Sequence, residues 1–323
     1  MIASPTAPVT APPETTPPHA PERGWSFRLL GSFHITGVFW YRFHRWALRS
    51  IPSPLLGVLT VVFTTIFFVF LRRIRVAIAS NLEPVLGPCG WWERQRRIYK
   101  TMWSFGWCLS ERNERLNMNR AFSVEPEAIE HWNEVSRAGC GLVLVTAHLG
   151  NYEVGSMLPS ERERRRVHLV REPEADAKAQ AFLENVLAGF AQSQYTMHFQ
   201  SDDPFQGLAL LDALRRGEIV AVQGDRPRAG GWSIDATLFG KSFLLPPGPA
   251  VLARTADVPI LPVFVLREGR RRYRVVFRPP IRAPRTGNRA ADLAWTMQRV
   301  AADLEWAVRR APHQWFCFRR LWP

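Results

Sequence analysis

The chain has 323 residues, 46% of them hydrophobic, with 13 Trp and 20 Phe, which is ample material for one sizeable core plus an appendage. Its formal charge of +14 points to anionic partners: nucleic acid, acidic lipid head groups or an acidic carrier. Four scattered cysteines (Cys89, Cys108, Cys140, Cys317) form no CxxC pair, which argues against a zinc ribbon or disulfide framework and fits a reducing compartment.

Residues 1–23 are rich in Pro, Thr and Ala, the composition of a disordered tail, and lack the pattern of a secretory leader. Residues 24–80 form a second part. An aromatic, basic stretch (24–50) suits a helix at a membrane interface, and "PLLGVLTVVFTTIFFVFL" (54–71) is an uncharged run near the lower limit for crossing a bilayer. Arginines flank that run on both sides, so charge does not orient it, and both a span and an in-plane helix stay open. A membrane-associated helical segment is therefore predicted to precede the third part, residues 81–323.

In this third part, residues 91–117 show helical spacing of apolar and aromatic residues. The apolar runs at 141–146, 167–170, 219–223, 259–266 and 272–277 read as strands. Helix-length stretches at 174–193 and 205–217 separate several of them. Continuous apolar runs are the mark of strands buried on both faces, so the expected fold is α/β, a mostly parallel central sheet with helices on both faces.

Chemistry concentrates at "VTAHLGNYEVG" (145–155). "GLVLVT" is a strand, and His148 follows its carboxyl end, where open α/β sheets place their ligand sites. Gly150 permits a tight turn and Asn151 suits a helix N-cap. Glu153 then falls within reach of the imidazole, where it would fix the tautomer and leave the other nitrogen as a base. Asp225 ends the strand "IVAVQGD" on the same sheet edge. It is either a second candidate carboxylate for His148 or a residue ordering the loop toward Arg226. Arg171, at the end of "VHLVR", is a candidate for an anionic group. His168, His198 and His313 lack metal-ligand spacing, so no metal is predicted, and no helix-turn-helix, zinc-finger or RNP signature supports nucleic-acid binding.

"TAHLGNYEVGS" resembles the His-x4-Asp/Glu block of glycerolipid acyltransferases, and its Gly-Asn-aromatic-Glu filling resembles the bacterial late acyltransferases of lipid A biosynthesis. That family includes the phosphatidylinositol mannoside acyltransferases. Residues 224–265 are similar to its Asp-containing block followed by Phe-Gly and Gly-Pro-Ala, and "APHQWFCFRRLWP" resembles its Pro-x-Gln-Trp block. The resemblance implies acyl transfer from a thioester on acyl carrier protein or coenzyme A to a hydroxyl of a bacterial glycolipid. It further implies a cytoplasm-facing domain on the inner membrane, with no cofactor. His148 would be the general base, oriented by Glu153. The Gly150–Asn151 amides or an arginine would face the oxyanion, and Arg171, Asp225 and Arg226 would contribute to substrate binding. Competing classes are a non-catalytic basic membrane- or nucleic-acid-binding protein and a thioesterase on the same scaffold.

Overall fold

The computed structural model describes residues 43, 46–47, 50–51, 53–118, 121–152, 165–173, 178, 180–181, 184, 195–200, 204–226 and 231–322. The tail predicted over 1–23, Glu153 and most of the helix predicted over 174–193 lie outside them. Helices α1 (Ser53–Phe70), α2 (Arg72–Leu86) and α3 (Trp91–Met118) come first. They are followed by β1 (Ser123–Glu127), α4 (Ile129–Arg137), β2 (Leu142–Thr146), β3 (Val167–Arg171) and β4 (Tyr195–Phe199). Next come α5 (Pro204–Arg215), β5 (Ile219–Gln223), and the pair β6 (Ile234–Leu238) and β7 (Lys241–Leu245). The chain ends with α6 (Gly248–Ala256), β8 (Ile260–Gly269), β9 (Arg272–Phe277), α7 (Arg289–Arg310) and a short turn at Pro312–Gln314.

Seven strands form one sheet in the order β1-β9-β8-β2-β5-β3-β4, parallel throughout except at the β8–β9 hairpin. Alternation along the strands supplies two cores. Val143, Val145 and Val220 face α5, α6 and α7, whereas Leu142, Leu144, Ile219 and Ala221 face Trp132 and Val135 of α4. All five apolar runs read as strands are strands. The edge strands β1 and β4 escaped that reading because an edge is not enclosed on both faces: "SVEPE" is polar, and every residue of "YTMHF" is only half-buried. Pro126 is tolerated in β1 because an edge strand can lose an N–H from the ladder. β6 and β7 are joined by Phe239 and Gly240, both at positive φ, the geometry of a tight two-residue hairpin.

Helix α7 shows how pattern becomes packing. Asn288 caps it by accepting from the Ala291 amide, and Leu293, Met297, Val300, Leu304 and Val308 then recur on one buried face.

Among the described residues, no single helix is long and apolar enough to cross a membrane. Leu55–Phe70 and Arg72–Leu86 form a pair bent by 92°. Val58, Val61, Val62, Ile66, Val69 and Phe70 of α1 are exposed, whereas α2 packs Ile78 and Leu82 on Ile98 and Met102 of α3. α2 runs continuously across residue 80 and is fastened to the end of the chain. The buried Asn81 amide donates to the carbonyls of Cys317 (3.0 Å) and Arg319 (2.8 Å), and its oxygen accepts from the Leu321 amide (3.0 Å). Asn81→Ala strands these three backbone groups and is expected to lower the unfolding free energy by about 2–3 kcal/mol. Urea denaturation measures this, and a loss under about 0.5 kcal/mol would mean that the C-terminal segment is held by other contacts.

Candidate active site

Strand register builds the site. β2 and β5 are parallel neighbours with Thr146 opposite Gln223, so the residues two positions beyond each strand, His148 and Asp225, emerge side by side. The connection is tight: the Gly224 amide donates to the Thr146 carbonyl (2.8 Å), and a Cβ at Gly224 would meet Val145 at 2.7 Å. His148 Nδ1 lies 2.7 Å from Asp225 Oδ1, and the His148 amide donates to Asp225 Oδ2 (3.1 Å). The imidazole is 13% exposed and Asp225 not at all.

The end of the chain closes the site from the other side. Phe316 N donates to the His148 carbonyl (2.7 Å) and Gly150 N to the Gln314 carbonyl (2.9 Å), so residues 314–316 lie along 148–150 as an added strand. From there the Trp315 indole N–H donates to Asp225 Oδ2 at 3.2 Å, and the Cys317 thiol lies 3.8 Å from the same oxygen. Burial pushes the Asp225 carboxyl up, but the charge and hydrogen bonds of His148 and the charge of Arg226 outweigh it. They hold the group well below the usual carboxylate range.

Arg226 Nε lies 3.1 Å from His148 Nδ1. Nδ1 cannot both donate to Asp225 and accept from Arg226. Asp225 is ionised and closer, and an unprotonated Nδ1 would set two acceptors against each other. Nδ1 therefore carries the proton toward Asp225, and Arg226 acts as a neighbouring cation. This tautomer leaves the lone pair on Nε2, where the described residues make no hydrogen bond. The position beside Nδ1 that the sequence offered to Glu153 or Asp225 is thus filled by Asp225.

A family model for bacterial lipid A biosynthesis acyltransferases matches residues 21–323. The chain belongs to that family. A comparison with the curated proteins found no match. Membership makes this chain an acyltransferase of the lipid A type.

The remaining residues singled out in the sequence divide between site and scaffold. In this acyltransferase the Gly150 and Asn151 amides are engaged by the Gln314 and Val265 carbonyls, at 2.9 and 3.2 Å, so they are not free to face an oxyanion as expected. Gly150 has φ of 59°, and a Cβ there would lie 1.9 Å from the Val265 carbonyl oxygen. Glycine is required for close backbone approach. The buried Asn151 side chain donates to the Tyr273 hydroxyl (3.0 Å), whose own proton goes to Glu111. Glu111 also accepts two hydrogen bonds from Arg267, both at 3.0 Å, and one from the Arg271 amide. Arg171 ends β3, one strand beyond β5 on the same sheet edge.

Sequence spacing could not reveal the roles of Glu111, Tyr273, Gln314, Trp315 and Cys317, since each partner lies far along the chain. His168 and His198, isolated in sequence, meet across β3–β4 at 2.9 Å, with Glu218 on the other His168 nitrogen. Among the described residues, no group of three or more His, Cys, Asp or Glu could hold a metal ion.

His313, in the same C-terminal block, is near the Thr101 hydroxyl (3.4 Å). Its pKa is lowered to about 4 by burial, then by the charges of Lys100, Arg96 and Arg97. The unfolded chain therefore binds this proton first. The stability that His313 supplies while neutral is present above its ordinary pKa of about 6.5 and is lost as pH falls from there toward about 4. In that window the wild type should lose more stability than His313→Asn in parallel urea titrations, and coincident pH curves would refute the assignment.

Proposed function

We propose that this acyltransferase moves a fatty acyl chain from an acyl thioester, on acyl carrier protein or coenzyme A, to a hydroxyl of a bacterial glycolipid or lipid A-like acceptor. His148 serves as general base. The observation that carries this reading is the fully buried Asp225 carboxyl 2.7 Å from His148 Nδ1, which turns Nε2 into the proton acceptor.

His148 Nε2 takes the proton of the acceptor hydroxyl as its oxygen attacks the thioester carbonyl. The carbon–sulfur bond breaks, and the imidazolium returns its proton to the departing thiolate, leaving an ester and a free thiol. Asp225 stabilises the imidazolium between those steps. With the Gly150 and Asn151 amides engaged, Arg226 is a candidate cation for the developing oxyanion, and Arg171 suits a phosphate on donor or acceptor. A direct transfer of this kind needs neither an acyl-enzyme nor a bound cofactor.

The exposed apolar face of α1 and the basic start of α2 (Arg72, Arg73, Arg75) support a site held against a membrane. The cytoplasmic face of the inner membrane is proposed because acyl carrier protein and coenzyme A are cytoplasmic.

The test is thiol release from palmitoyl-coenzyme A with and without extracted bacterial glycolipid. Lipid-dependent release is expected, whereas release independent of lipid would identify a thioesterase. His148→Ala should lower transfer by about a hundred- to ten-thousand-fold in a folded protein, and activity within tenfold of wild type would remove His148 from the mechanism. Asp225→Asn should fall in the same range, with Glu153→Gln milder. The reverse order would return the orienting role to Glu153.

A further inference from the structure

Asp225 has no exposed surface, so each of its oxygens depends on protein donors. Oδ1 serves the imidazole. Oδ2 is surrounded by the His148 amide, the Trp315 indole and the Cys317 thiol, two of which arrive from the end of the chain. A thiol at 3.8 Å is a weak donor, which leaves the indole as the principal side-chain partner of Oδ2. Among the described residues, the other charged or titratable groups near Asp225 are Arg226 and, beyond the thiol, Arg319.

The indole is itself immobilised. Its backbone bridges Leu149, beside the base. The preceding residue, Gln314, clamps the β8 backbone with both ends of its amide, accepting from Arg267 N and donating to Arg267 O at 2.8 Å each. Phe239, at the tip of the β6–β7 hairpin, and Trp322 flank the ring with centroids 6.2 Å away. A tryptophan chosen only to fill volume would not need its N–H aimed at the carboxylate that contacts His148.

We propose that Trp315 is a positioning residue of the acyl-transfer site: its indole N–H holds Oδ2 so that Asp225 stays aimed at the imidazole, and His148 keeps its proton on Nδ1 and presents Nε2 to the acceptor hydroxyl. This rests on the reading of His148 as general base. A donor to an ionised carboxylate lowers its proton affinity. Without that donor Asp225 binds a proton more readily, and the less satisfied carboxylate also raises the affinity of the imidazole. Both changes move the active form, with Asp225 ionised and His148 neutral at Nε2, to higher pH.

The experiment measures the pH dependence of kcat/KM for palmitoyl-coenzyme A with extracted bacterial glycolipid, comparing wild type with Trp315→Phe. The expected result is an acid limb displaced to higher pH and a kcat lower by about tenfold, with KM for the donor unchanged. If Trp315→Phe does not fold, replacing Trp315 with 3-benzothienylalanine keeps the bicyclic shape, lacks only the N–H, and is expected to give the same displacement. A purely structural role predicts reduced thermal stability with the wild-type pH profile, and that result overturns the proposal. A His148→Ala enzyme that stays active would sink the underlying reading instead, so the two failures are told apart.

Discussion

An ionised carboxylate with no exposed surface is the constraint from which the site is built. Asp225 can stay charged only if donors and positive charge surround it, and these come from three parts of the chain: His148 in the turn after β2, the charge of the adjacent Arg226, and Trp315 with Cys317. The β2–β5 register brings the first of these within reach, and the C-terminal strand along 148–150 brings the last. Burial and orientation are thus one fact. The environment that makes the charge tolerable also fixes which imidazole nitrogen carries the proton.

A second buried charge couples this site to the helical layer. Glu111 of α3 is almost fully enclosed and is paired with Arg267, the Arg271 amide and the Tyr273 hydroxyl. Glu114, one turn on, pairs with Arg271 at 2.6 Å. Buried pairs of this kind add little net stability over apolar packing, but their geometry is exacting. Through Tyr273 and Asn151, the Glu111 network sets the position of the turn that carries His148. Asn81, on α2, fastens the same C-terminal segment that supplies Trp315. The layer with the exposed apolar helix and the turn with His148 are therefore parts of one hydrogen-bonded frame.

The central strands are readable in the amino-acid order because enclosure on both faces forces continuous apolar runs, as in "LVLVT" and "ILPVFV". Edge strands feel no such demand, which is why "SVEPE" and "YTMHF" carry no comparable signal. His148 and Asp225 were both visible as polar residues just beyond apolar strands. Their pairing stood only as an alternative to Glu153, because 77 positions separate them and only the strand order β8-β2-β5 makes their strands neighbours. Gly150 was read as permitting a tight turn and Asn151 as a helix N-cap, but the demands on both come from elsewhere in the fold. Those demands come from the Val265 carbonyl and Tyr273, and neither lies near them in the chain.

Local order by itself determined the five inner strands of the sheet, that the sheet is mostly parallel, and that a histidine follows one of its strands. Those properties follow from periodicity and from what each segment must bury, and both are written in consecutive residues. Only the tertiary structure decided which carboxylate holds the imidazole, which amides are already engaged, and that the last residues of the chain complete the site. Hydrogen bonds between distant segments depend on register and strand order, and no short stretch of sequence contains either.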